Sequence, residues 1–224
     1  MAAMTASLPR LVLAVFLVTA VSVPEARAAD DPASLVQRWL DSWTRLAGRF
    51  QQVVSSPTLP REQVESGQFE IARPDRMRWD YEVPETKLAV TDGHSTWLYL
   101  PEDRQVIRGN MEALRREGAM ALLLGGTRTL TEAFRIMESG QVDGRLELIL
   151  EPRAPSQAMV RLDLVATLAG RILMFTVHDA AGNQVRWSFT ELRLDPPLDD
   201  RRFSFTIPPG VEVQDLEELS VESP

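Results

Sequence analysis

The 224-residue sequence contains 24 basic and 32 acidic side chains, carries a formal net charge of −8 at pH 7 and includes no cysteine. A chain this acidic, with no compensating basic patch, is not expected to bind nucleic acid or anionic lipid head groups through charge. The absence of cysteine excludes disulfide bonds and thiolate metal sites. Stability must therefore come from packing.

The first 28 residues have the pattern of a signal peptide, because Arg10 precedes an apolar run over 11–23 and small residues follow up to Ala28. The run is shorter than the ~20 residues that span a bilayer as a helix, so we predict cleavage after Ala28 rather than an uncleaved anchor. The remainder, 29–224, has the length of one domain with a sizeable core. A lipid anchor at the cut site would need a cysteine, which the sequence lacks.

Apolar residues at steps of three and four predict a first helix, which starts at the N-cap Asp31, continues to Leu46 and packs on a sheet. After Gly48 the period changes to two, which predicts strands. The predicted strands lie at 49–54, 64–73, 76–82, 88–91, 96–100, 146–151, 159–167, 171–178, 184–194 and 203–207. So many short antiparallel strands indicate a strongly curved sheet or a barrel.

Residues 111–124, between the two series of strands, are predicted to form a helix that ends before Gly125 and Gly126. A second short helix is predicted to start near Thr129. The apolar end of the first of these helices could cap the concave face of the sheet. Alternatively, it is a crossover helix that completes the core.

Alternation along two strands predicts which side chains share a face. Phe69, Ile71 and Arg73 point the same way, and the next strand places Met77, Trp79 and Tyr81 opposite Arg76, Arg78 and Asp80. A guanidinium group on an apolar face needs acceptors for its five N–H donors. Either Arg73 finds such acceptors inside the fold, or the strand ends at Ala72 and Arg73 reaches water.

Catalytic patterns are missing from the sequence. His94 and His178 have no partner at metal-ligand spacing, and both are expected at the surface. The sequence has no nucleophile elbow and no glycine-rich phosphate loop. A lipid hydrolase would have to use one of the serines at 66, 95 and 188 with a histidine, and no such arrangement is evident.

Several segments follow one another in an order and at a spacing that resemble a known family. They are Phe50-Gln51-Gln52, the run from Gly67 to Pro74, Met77-Arg78-Trp79-Asp80-Tyr81, Asp92-Gly93 with Trp97 and Tyr99, and the run from Phe203 to Val211. Together they resemble the LolA family of periplasmic carriers of outer-membrane lipoproteins, from about residue 32 to about 213.

The resemblance implies a mainly β fold, in which an unclosed antiparallel β-barrel has helices over its concave apolar face and lipoprotein acyl chains bind between them. In the family, the arginine before this proline bonds to backbone carbonyls of the lid, and Arg73 occupies the matching position. The residues implied to line the lipid cavity are Phe69, Ile71, Met77, Trp79, Tyr81, Trp97, Leu122 and Leu123. Met77 departs from the usual aromatic residue, although a flexible thioether suits an adaptable lipid site.

The resemblance also implies a periplasmic monomer without a cofactor or enzymatic activity. An inner-membrane lipoprotein-releasing ABC transporter (LolCDE-like) would load it, and an outer-membrane acceptor (LolB-like) would unload it. A second hypothesis is a carrier or sensor of another amphiphile, such as a glycolipid, with the same fold. The acidic tail 212–224 is outside the pattern of the family.

Overall fold

The computed structural model describes residues 31–112, 114, 119–154 and 156–216. The predicted signal peptide 1–28 and the last part of the predicted acidic tail, 217–224, lie outside the described residues. No helix among the described residues is both long and apolar enough to cross a membrane.

Twelve strands and a few short helices make up the described part of the chain. The strands are β1 Arg45–Ser55, β2 Gln63–Ala72, β3 Arg76–Val83, β4 Lys87–Asp92, β5 Ser95–Leu100, β6 Gln105–Asn110, β7 Phe134–Val142, β8 Arg145–Pro152, β9 Arg161–Thr167, β10 Ile172–His178, β11 Gln184–Leu194 and β12 Glu212–Asp215. The helices are α1 Pro32–Asp41, α2 Ala119–Leu124 and α3 Leu130–Ala133, and a 3₁₀-helix covers Asp200–Phe203.

All twelve strands belong to one sheet, in the order β12-β6-β5-β4-β3-β2-β1-β11-β10-β9-β8-β7. Neighbouring strands are antiparallel except β12, which runs parallel to β6. The two edge strands, β12 and β7, do not pair with each other, so the curved sheet remains open. The prediction of a mainly β, unclosed antiparallel sheet is confirmed.

Helix α1 packs on the sheet through Val36, Trp39 and Leu40, which are all buried. Its N-cap is Asp31, as predicted, with Pro32 in the first turn. The helix ends at Asp41, so its predicted extension to Leu46 is wrong. Both the backbone N–H and the hydroxyl of Ser42 donate to the Trp39 carbonyl and cap the helix. Apolar residues beyond the cap belong to the core as the chain enters β1. Their spacing in the sequence equals that of a helix, which explains the wrong prediction.

The structure corrects three further predictions. Strands β6 and β7 have no counterpart among the predicted strands, and residues 203–207 form the end of a 3₁₀-helix and a segment without regular secondary structure instead of a strand. Along β7, Arg135, Glu138 and Ser139 are exposed at the sheet edge, so the apolar alternation that identifies a strand is weak. The final strand, β12, lies in the segment predicted as an acidic tail, and Arg108 on β6 holds it through Asp215, with N–O distances of 2.7 and 2.8 Å.

Asp195 connects the end of β11 to the start of β1. Its carboxylate accepts hydrogen bonds from the backbone N–H groups of Thr44 and Arg45, both at 2.9 Å, and from the Thr44 hydroxyl at 3.0 Å. These bonds, above all those from the two backbone N–H groups, hold the pKa of Asp195 below its usual range. The charged carboxylate is therefore the form that the fold favours.

Replacing Asp195 with asparagine keeps an acceptor oxygen but removes the charge, so it isolates this effect. We expect Asp195→Asn to lower the Tm by a few degrees at pH 7. Because the folded pKa is depressed, the stabilisation is present above the ordinary aspartate pKa of ~3.9 and is lost as the pH falls through the lower, folded value. Thermal unfolding of both proteins between pH 3 and pH 7 checks this. A difference in Tm that is independent of pH would contradict it.

Candidate functional site

An apolar cavity of about 400 Å³ lies between the concave face of the sheet and the segment that contains α2. Its wall comes from β3 to β6 and β11, from residues 114 and 120 on the covering segment, and from the C-terminal part of the chain. The lining residues are Met77, Trp79, Tyr81, Ala89, Val90, Thr91, Thr96, Trp97, Leu98, Ile107, Gly109, Leu114, Met120, Trp187 and Leu216. Because its lining is almost wholly apolar, the cavity is suited to hydrocarbon and offers few partners to a polar ligand.

Three of the predicted lining residues, Met77, Trp79 and Tyr81, form the β3 part of the cavity wall. Trp97 borders the cavity as well, but its ring packs near the ring of Phe205, with centroids 6.2 Å apart. It neighbours Thr96 and Leu98 on β5, which share the concave face, so alternation turns its side chain to the other face.

Phe69, Ile71 and Leu123 are not among the residues that line this cavity. Phe69 and Ile71 are fully buried in the core beside it, where Phe69 stacks on Trp79 with ring centroids 4.9 Å apart. Leu123 is buried in the same core beside Arg73, and the side chain of Leu122 lies outside the described residues. Alternation identified the correct face of β2, but could not show how far α1 covers it.

Arg73 lies just after β2, whose last residue is Ala72, yet its side chain turns inward. Its Nε donates to the Leu124 carbonyl at 3.1 Å, and its Nη1 donates to the carbonyls of Trp43, at 3.3 Å, and of Leu40. Leu40 and Leu124 lie at the C-terminal ends of α1 and α2, where helical carbonyls lack partners within the helix. One guanidinium group therefore caps two helices.

Arg73 keeps its positive charge although its guanidinium group is partly buried beside the helix ends. The guanidinium carbon lies 3.5 Å from the centroid of the Trp43 ring, a cation–π arrangement. Burial lowers the pKa of Arg73 to about 10, and the nearby Asp41 partly opposes this shift. Arg73 therefore remains charged at neutral pH.

Gly126 makes room for Arg73 immediately after α2. It has a φ of +77°, and a Cβ atom there would lie 2.4 Å from Arg73 Cδ. The preceding residue, Gly125, accepts a hydrogen bond from the backbone N–H of Asp75 at 3.2 Å. The glycine pair that ends the predicted helix thus lets the β2–β3 turn and the end of α2 contact each other.

Tyr81 brings a polar group to one end of the cavity. Its hydroxyl donates to Gln52 Oε1 at 3.0 Å. Burial, with the negative charge of Glu65, raises the pKa of Tyr81 well above its usual value. The hydroxyl is therefore a neutral donor under physiological conditions.

The contacts of the two histidines give no support for serine-based catalysis. His94 is exposed, and His178 contacts Asp163 at 2.9 Å. Among the described residues, no hydrogen bond joins either histidine to Ser66, Ser95 or Ser188. The described part of the chain also has no group of three or more histidine, aspartate or glutamate residues that could hold a metal ion.

An open, curved and mainly antiparallel sheet with an apolar cavity beneath short helices defines the class of the protein, that of lipid carriers with a helical cover. The family model described as "Outer membrane lipoprotein carrier protein LolA" matches residues 41–206. The chain belongs to this family.

Related proteins match almost the whole chain. A protein of Pseudomonas paraeruginosa named outer-membrane lipoprotein carrier protein is 28% identical over 209 residues, which cover 91% of this chain and 98% of that protein. A protein of the same name from Methylobacillus flagellatus is 27% identical over 198 residues, covering 88% and 95% of the two chains. An uncharacterized conserved protein from Thermus thermophilus has a similar fold, with a TM-score of 0.50, 14% identity and coverage of 82% and 96%.

Proposed function

We propose that the protein carries lipoproteins from the inner to the outer membrane through the periplasm, with their acyl chains held in the apolar cavity. The observation that carries this proposal is the cavity of about 400 Å³, whose lining is apolar and whose cover includes Met120 of α2. Membership of the LolA family and the names of the related carriers support it. The predicted signal peptide, 1–28, would direct the chain to the periplasm.

The size of the cavity requires the lid to move. About 400 Å³ is near the lower end of the range for drug-sized ligands. A cargo with two or three long acyl chains needs more room, so loading displaces α2 from the sheet. We infer that Met77, Trp79 and Tyr81 line the enlarged site, and that Phe69, Ile71, Leu122 and Leu123 join its wall when the helices move.

The energetics of lipid burial explain why a lid is useful. Each buried methylene contributes ~0.8 kcal/mol, so one chain of ~15 carbons contributes on the order of 12 kcal/mol. Several fully buried chains would approach the limit of noncovalent affinity, and such cargo would not be released. A lid that covers the same apolar surface competes with the lipid and lowers the net affinity.

Arg73 sets the balance between the closed and the open lid. Closure gains three hydrogen bonds from a charged donor. In this closed form, the Trp43 indole nitrogen is buried and has no hydrogen-bond partner among the described residues. An unsatisfied buried donor costs about 1–3 kcal/mol, so opening that exposes this nitrogen would recover part of the free energy of the lost hydrogen bonds.

The partners follow from this role. A monomeric carrier would receive its cargo from an inner-membrane lipoprotein-releasing ABC transporter and pass it to an outer-membrane acceptor. Release to that acceptor is favourable when the acceptor binds the acyl chains more tightly than the carrier with its competing lid does.

Native mass spectrometry of protein purified from the periplasm tests the proposed function. We expect a fraction of the protein to carry a bound acylated polypeptide, which dissociates on activation and is identified by its mass. Recovery of a glycolipid or another free amphiphile in place of an acylated polypeptide would contradict the proposal and favour a carrier of that amphiphile.

A further inference from the structure

Four polar side chains form a row across the concave face, one on each of four adjacent strands. These side chains, called the polar row below, are Gln52 on β1, Glu65 on β2, Tyr81 on β3 and Lys87 on β4. Gln52 is in register with Glu65, and Tyr81 is in register with Lys87. Tyr81 shares its face with the cavity-lining Met77 and Trp79, and Lys87 shares its face with the cavity-lining Ala89.

The members of the polar row are joined by direct contacts. The Lys87 ammonium group contacts the Glu65 carboxylate, and both side chains are mostly buried, with exposed fractions of 22% and 19%. Lys87 Nζ also lies 4.8 Å from the centroid of the Tyr81 ring, and the Tyr81 hydroxyl is bonded to Gln52. Lys87 is the only lysine of the sequence, in which the other 23 of the 24 basic residues are arginine.

This row is placed where the apolar cavity ends. Tyr81 and Trp187 line the cavity, and Trp187 is in register with Gln52 on the neighbouring strand. A largely buried ion pair gains little stability over apolar residues of similar size, because desolvation offsets its attraction. A packing role alone therefore gives no reason for a charged pair at the end of a hydrocarbon site.

The chemistry of the row matches an uncharged group rich in acceptors. In the part of the chain that the structure describes, Lys87 uses only one of its N–H donors in a hydrogen bond, and the Gln52 amide nitrogen uses none. Both can donate to carbonyl oxygens. The carboxylate of Glu65 balances the charge of Lys87 and repels anions, so a phosphate group is disfavoured.

We propose that the polar row binds the ester and amide carbonyl groups that join the acyl chains of a lipoprotein to its polypeptide, and that it selects this uncharged junction against anionic phospholipids. The inference rests on the proposed function, because it assumes that the acyl chains occupy the adjacent cavity. With the chains in the cavity, the junction lies at Tyr81 and the polypeptide continues outward.

The single lysine permits a direct test on the intact protein. Biosynthetic incorporation of ¹³Cε-lysine labels Lys87 alone among the residues of the sequence and keeps its charge and all three N–H donors. We expect the Lys87 ¹³Cε signal to shift when an S-dipalmitoylglyceryl cysteine peptide binds. The shift should be much smaller with the matched peptide in which ethers replace both esters. Equal shifts with the two peptides would overturn the proposal.

Affinity measurements with the same two peptides give an independent test. We expect the wild-type protein to bind the ester peptide about tenfold more tightly than the ether peptide, as for one hydrogen bond to a charged donor. Lys87→Met should remove this preference while its affinity for the ether peptide stays unchanged. Glu65→Gln should increase the affinity for phosphatidylglycerol about tenfold, because Lys87 is then unbalanced.

The outcomes separate this proposal from the proposed function. If both peptides bind the wild-type protein equally and Lys87→Met changes neither affinity, the polar row has no role in selection, although the lipid-carrier function stands. If neither peptide binds, both proposals fail. Thermal unfolding of the variants checks that each is folded at the temperature of the binding measurements.

Discussion

Replacing Arg73 with leucine is expected to give a folded carrier that takes up acylated cargo readily but releases it slowly. The substitution removes the hydrogen bonds to Leu40, Trp43 and Leu124 and the contact with the Trp43 ring. Hydrogen bonds to a charged group contribute about 1.5–3 kcal/mol, so a loss of about 2 kcal/mol would favour the open lid roughly thirtyfold. Cargo then competes with a weaker lid.

The measurement is the transfer of a fluorescent diacylglyceryl peptide from the loaded carrier to an outer-membrane acceptor. We expect Arg73→Leu to slow transfer at least tenfold, with loading unchanged or faster. Arg76→Leu is the matched control, because Arg76 is on the opposite face and pairs with Asp200. A transfer rate for Arg73→Leu equal to that of the wild-type protein would show that Arg73 does not control the lid.

Gly126→Ala tests the same contact without changing Arg73. The new Cβ would lie 2.4 Å from Arg73 Cδ and 2.6 Å from its Nε, and the φ of +77° is unfavourable for alanine. Arg73 must leave its position, so the variant should show slow transfer as Arg73→Leu does. Combining the two changes should slow transfer no further, because both act on one contact.

Filling the cavity is expected to have the opposite effect and to prevent loading. Ala89 is on β4, in register with Trp79 on one side and Leu98 on the other, and it lines the cavity. A tryptophan at this position would place an indole ring in the 400 Å³ into which acyl chains enter. We expect Ala89→Trp to weaken binding of the diacylglyceryl peptide at least a hundredfold, because the displaced methylenes return to water.

A smaller substitution at the same position tests whether the loss of binding depends on the volume that is filled. Ala89→Leu should have an intermediate effect, and both variants should keep a near-wild-type Tm, since they fill space instead of removing packed groups. Thr190→Trp on β11 is the matched control, because Thr190 is exposed and on the other face from Phe189. Unchanged binding by Ala89→Trp would place the acyl chains elsewhere on the protein.

The central strands could be predicted from the sequence because burial leaves a clear alternation there. On β3, Met77 and Trp79 are buried in turn between half-buried polar residues. Strand β7 at one edge of the sheet and β6, next to the other edge, carry exposed side chains on positions that a central strand would bury. Hydrophobic periodicity in a sequence reports which side chains are buried. It therefore does not identify a strand whose side chains are largely exposed to water.

The site could be predicted only in part, since much of it forms across long distances in the chain. The inward orientation of Arg73 was one of two alternatives, and the choice depends on helix ends that lie 33 and 51 residues away. Leu216 reaches the cavity because β12 pairs with β6, a pairing that no local pattern indicates. The polar row is visible only once the register of four strands is known.

The strand order gives the lid a tether at each side of the sheet. Residues 111–133 connect β6 to β7, which are ten strand spacings apart, about 48 Å along the sheet. A segment that is attached at both ends cannot leave the concave face as a whole. Any enlargement of the cavity therefore has to bend or shift the connection between its two attachments.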